Sequence, residues 1–114
     1  MSDQELFARL GVPPGPLAIE GFDVHRFGTS VTVRFAYDPW DEPPGKLFTL
    51  QFDRCKKVSW EIFEPAFNTG RVHENADEIG TSLGKEHYES PAVIHAIEIE
   101  LIIEYDTLTI LKSW

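Results

Sequence analysis

His73, His87 and Glu89 are the side chains whose types best fit metal chemistry in this sequence. In an extended segment, His87 and Glu89 fall on one face, two residues apart, and offer a nitrogen and an oxygen ligand to a divalent ion. A third ligand would come from His73 or His95. The chain has no H-x-H and no H-E-x-x-H pattern, and its one cysteine supplies no thiolate pair. Acids and histidines mixed in this way also suit a solvated loop, so the reading is of no bound metal or cofactor. A His/Glu metal-dependent enzyme stands as the least favoured alternative.

Gly80-Thr81-Ser82-Leu83-Gly84 matches G-x-S-x-G, the pattern that holds a nucleophilic serine on a sharp strand-to-helix turn. That chemistry needs a buried strand before the turn, and Asn75-Ala76-Asp77-Glu78-Ile79 is not one. The acid downstream, Asp106, also follows both His87 and His95, which reverses the usual order of acid then histidine. Turn and cap chemistry explains the two glycines, and no catalytic residue is assigned. Cys55 lies beside Arg54, Lys56 and Lys57, and such cations lower a thiol pKa. With no histidine nearby as base, it reads as a small residue at a strand corner.

Charge is the stronger signal. Between Glu61 and Asp106 eleven acids face two bases, Arg71 and Lys85, while elsewhere eight acids balance eight bases. The formal charge of -9 therefore arises in that stretch. A field of one sign repels nucleic acid and anionic lipid and attracts cations. The basic cluster at Arg54–Lys57 offers too few phosphate contacts to reverse this. Within the acidic stretch, Glu98, Glu100 and Glu104 share one face of an alternating strand, with Ile102 among them, and form the expected binding surface. Trp40 joins them, because an aromatic on the proline-bounded loop Asp38–Gly45 is readily ordered and buries much area on contact.

The elements that must position these residues follow from periodicity. Ser2 and Glu5 fit a capping box, Leu6, Phe7 and Leu10 form a helical stripe, and Gly11 with Pro13 stops it. A short N-terminal helix over residues 3–10 follows. The period then changes to two, with strands expected across Ile19–Phe27, Val31–Tyr37, Phe48–Asp53 and Val58–Ile62, the last three as a hairpin or meander. A brief helix starting at Asn75 and ending at Gly84 fits the interrupted middle. Ile97, Ile99, Leu101 and Ile103 alternate with glutamates in the clearest strand, and Leu108–Lys112 returns after a turn at Asp106-Thr107. Phe35, Phe48, Leu50, Phe52, Trp60, Ile62, Ile97, Ile99, Leu101 and Ile103 are the expected core.

A 114-residue chain with 42% hydrophobic residues suits one domain, residues 1–114. The fold class is all-β or α+β: an antiparallel sheet of five to seven strands, curved or closed as a small barrel or sandwich, with the N-terminal helix. One cysteine, no leader pattern and no apolar run near the ~20 residues of a membrane span predict a cytoplasmic location with no membrane contact. In size and acidity, though in no residue motif, the chain resembles bacterial toxin-neutralising immunity proteins. The expected function is a non-catalytic interaction protein with a cationic protein partner. A small-ligand binder holding an apolar molecule against a concave sheet face is the alternative.

Overall fold

The computed structural model describes residues 3–37, 46–62, 72–74, 80–82, 87, 90–95 and 99–114. Helix α1 spans Asp3–Leu10, as the apolar stripe predicts, and buries Leu6, Phe7 and Leu10. It ends in a Schellman motif: Gly11, at φ 76°, donates to Ala8 O at 3.1 Å, and Val12 donates to Phe7 O at 3.2 Å. The Lys112 ammonium donates to Leu10 O at 3.2 Å, placing a cation at the negative end of the helix. Behind the helix, the Tyr37 hydroxyl donates to Pro13 O at 2.7 Å and fixes the proline elbow. Ser2 of the expected capping box lies outside the described residues.

Among the described residues nine strands follow: β1 (Leu17–His25), β2 (Ser30–Tyr37), β3 (Lys46–Asp53), β4 (Lys57–Ile62), β5 (Val72–Glu74), β6 (Gly80–Ser82), β7 (Ala92–His95), β8 (Ile99–Glu104) and β9 (Thr107–Lys112). They form two antiparallel sheets, one ordered β5-β1-β2-β3-β9 and the other β4-β8-β7-β6. Among the described residues the protein is thus mostly β with one short α-helix. The count exceeds the expected five to seven because β5, β6 and β7 have three or four residues each, too few to show a period. Gly80–Ser82, expected within a brief helix, is instead strand β6 paired with β7.

Two expected hairpins are absent from the pairing. β4 does not pair with β3, nor β9 with β8; β3 pairs with β9 and β4 with β8. The two long segments run as one two-stranded ribbon that bends from one sheet into the other. At the bend Arg54 takes φ 52°, Lys56 N donates to Glu104 O at 2.8 Å, and Asp106 N donates to Asp53 O at 3.0 Å. A left-handed residue in one strand turns the ribbon, and the second strand follows through those bonds. The polar corner was legible in Arg54–Lys57; its partner strand was not.

Between the sheets lie Val31, Val33, Phe35, Phe48, Leu50, Phe52, Ile94, Ile103 and the apolar side of α1, all buried. Phe35 and Phe48 sit opposite each other on β2 and β3 and stack at 5.0 Å. Ile99, Leu101 and Ile103 are buried as their alternation requires. Trp60 and Ile62 are not core residues: they are 50% and 59% exposed. Their phase is right, since they stand opposite Leu101 and Ile99. However, β4 is the end strand of its sheet, so among the described residues it has a neighbouring strand on one side. Ile97 lies outside the described residues.

Candidate functional site

On antiparallel strands, directly opposite residues point to the same face. The outer face of the four-stranded sheet can therefore be read from the pairing. One row runs Glu61, Glu100, His95 across β4, β8 and β7; the next runs Ser59, Ile102, Val93; a third holds Lys57 opposite Glu104. Glu61 is exposed, and Glu100 and Glu104 are half-buried. Glu100 and Glu104 do share a face, but their surroundings differ. Glu104 has a lysine across from it, whereas Glu100 stands between another carboxylate and a histidine.

Glu61 belongs to this surface and was missed by the sequence reading. Its alternation with Ser59 and Lys57 marked it as outward-facing; its position across from Glu100 depended on a pairing between strands 40 residues apart. Glu98 and Trp40 lie outside the described residues. The cationic corner is at the other end of β4, where Arg54 reaches Asp106 at 3.4 Å.

The histidines do not gather. His73 lies in β5, at one edge of the five-stranded sheet; His87 bridges Thr107 of β9, at the opposite edge; His95 is in the other sheet. Four strand spacings of ~4.8 Å separate β5 from β9 along the sheet. The least favoured alternative, in which His73 joins His87 as a ligand, finds these two at opposite edges of the sheet, and Glu89 lies outside the described residues. Among the described residues, no three His, Cys, Asp or Glu side chains are grouped to hold a metal ion. Ser82 lies within a paired strand, opposite Val93, rather than at the turn a nucleophile elbow requires.

Cys55 is buried and donates to Phe52 O at 3.5 Å. Burial pushes its thiol pKa up, the Asp53 carboxylate adds to this, and a backbone hydrogen bond at Val31 opposes them. The neighbouring Arg54, Lys56 and Lys57 are exposed side chains. The thiol is thus held protonated, the reverse of a nucleophile.

Two open clefts lie at the periphery. One, of about 420 Å³, separates the β1–β2 turn from β4 and is lined by Val24, Phe27, Lys56, Lys57, Val58 and Trp60 among others. The second, about 470 Å³, lies over β9 beside Arg9 and Lys112. Among the described residues, no helix is long and apolar enough to cross a membrane. No family model matches the chain, and no similar curated protein or solved structure is found.

Proposed function

We propose that this protein is a non-catalytic interaction protein that engages a cationic protein partner through the outer face of its four-stranded sheet. The observation that carries the reading is the Glu61–Glu100 pair: two carboxylates directly opposed across β4 and β8, in a surface whose third glutamate is balanced by Lys57. Like charges opposite each other cost stability, and a cationic side chain from a partner removes that cost on binding. The excess acid between Glu61 and Asp106 steers such a partner toward this face.

The test is affinity capture with the native chain and with the triple variant Glu98→Gln, Glu100→Gln, Glu104→Gln, at low and high ionic strength. Basic proteins should bind the native chain at low salt, and their association rate should fall in the triple variant. Capture that is indifferent to both salt and the substitutions would reduce these carboxylates to a solvated face.

A further inference from the structure

β4 pairs with β8 along one side, and among the described residues its other side carries no strand. An uncovered strand edge presents backbone N–H and C=O groups to whatever extended chain can meet them. Here the edge is also unusually apolar, with Trp60 and Ile62 exposed on the face turned toward the other sheet. The opposite face of the same strand carries Lys57, Ser59 and Glu61, all exposed.

The sequence of β4, Lys57-Val58-Ser59-Trp60-Glu61-Ile62, is complementary to itself when run antiparallel. With Ser59 placed against its own copy, Lys57 stands opposite the partner's Glu61, and Val58 opposite the partner's Trp60. Each pair occurs twice, because a two-fold axis between the serines generates the second. The charges fall on one face and the apolar residues on the other, as the pleat of a shared sheet requires. The two Trp60 rings become diagonal neighbours at ~7–8 Å between backbones, within reach of each other.

We propose that β4 is a self-association edge, through which two copies of this chain form a symmetric dimer with one continuous eight-stranded sheet. The contact closes on itself, so it yields dimers rather than filaments. It satisfies the open backbone groups and brings Trp60 against the partner's Val58. The outer face remains acidic: each copy contributes Glu61, Glu100 and Glu104 against Lys57, so a cationic partner would meet twice the surface. A six-residue edge is a small contact, which places the association at about 10–1000 µM.

Sedimentation velocity across that concentration range tests the dimer and its register. The native chain should shift from monomer to dimer. Lys57→Glu alone sets two carboxylate pairs face to face, and Glu61→Lys alone sets two ammonium pairs. Each single variant should weaken dimerisation about tenfold or more. An equimolar mixture of the two should associate as a heterodimer, since one charge pair then keeps its native sign and the other is restored with reversed sign. In the native chain, hydrogen exchange should show β4 amides gaining protection as concentration rises, while those of β6 and β9 do not; this readout does not depend on either variant folding. A native chain that stays monomeric to about 1 mM overturns the proposal. So does a dimer that protects another edge, or one whose folded charge variants associate as the native chain does.

Discussion

Trp60 on β4 and Phe22 on β1 meet edge-to-face, with ring centroids 5.4 Å apart and planes at 65°. The two strands belong to different sheets, so this contact helps hold the two sheets together beside the end strand β4. Half of Trp60 nevertheless faces solvent. Phe35 occupies the opposite situation, fully buried and stacked on Phe48. Trp60→Ala should therefore cost about 2 kcal/mol, chiefly the ring contact and half a side chain's burial. Phe35→Ala should cost about 3–5 kcal/mol, because it leaves a cavity between the sheets. Urea unfolding of both variants checks the order; equal losses would mean that β4 belongs to the core after all.

What the sequence showed of this fold was local. The helix was legible because the Leu6, Phe7, Leu10 stripe and the Gly11 stop act within one turn of chain. β2, β3, β8 and β9 were legible because each alternates over enough residues to show a period of two. Which strand meets which was hidden, since Lys57 opposite Glu104 and Phe48 opposite Lys112 are relations between distant segments. The same limit applied to the candidate site. The alternation placed Glu100 and Glu104 on one face, but the lysine opposite Glu104 and the carboxylate opposite Glu100 come from β4, far earlier in the chain. Exposure of Trp60 was equally non-local, since it follows from the place of β4 at the end of its sheet.

Cys55 should make stability fall above pH 9. The thiol of the unfolded chain ionises near the ordinary value of 9.0, while burial holds the folded thiol protonated to higher pH. Between the two values the unfolded state binds fewer protons, so stability decreases as pH rises. Below about pH 9 the contribution is fully present. Comparing unfolding of the native chain and Cys55→Ala from pH 7 to 10.5 isolates this part, since lysines and tyrosines titrate alike in both. The variant's decline above pH 9 should be shallower; an identical decline would mean that the thiol ionises freely.

The turn joining β1 to β2 stores backbone strain. Arg26 and Phe27 take φ values of 50° and 61°, in the left-handed region that disfavours residues with a Cβ. The Phe27 side chain projects fully into solvent and gains nothing from burial in return. Phe27→Gly should raise stability by about 1 kcal/mol, because the relief exceeds the added freedom of glycine in the unfolded chain. A rise in melting temperature checks it, and a fall would assign Phe27 a packing role.

Glu100 and Glu104 lie four residues apart on one face of β8, yet neutralising them should move stability in opposite directions. Glu104 stands across from Lys57, so Glu104→Gln removes an attraction. Glu100 stands across from Glu61, so Glu100→Gln removes a repulsion. Cross-strand charge pairs contribute about 0.2–1 kcal/mol of either sign, and the swap to glutamine keeps the side-chain volume nearly constant. At low salt Glu100→Gln should therefore stabilise the protein by about 0.5 kcal/mol, and Glu104→Gln should destabilise it by a similar amount. Both carboxylates are half-buried while Lys57 and Glu61 are exposed, so the pairs are partly screened. Raising ionic strength toward 1 M shortens the screening length to about 3 Å, and the gap between the variants should shrink accordingly. Two variants that shift stability alike, or a gap that persists in high salt, would show that the pairing across β4 and β8 does not set the electrostatics of this face. An opposite sign that fades with salt would locate the acidic strain at Glu61–Glu100, the pair that a cationic partner is expected to relieve.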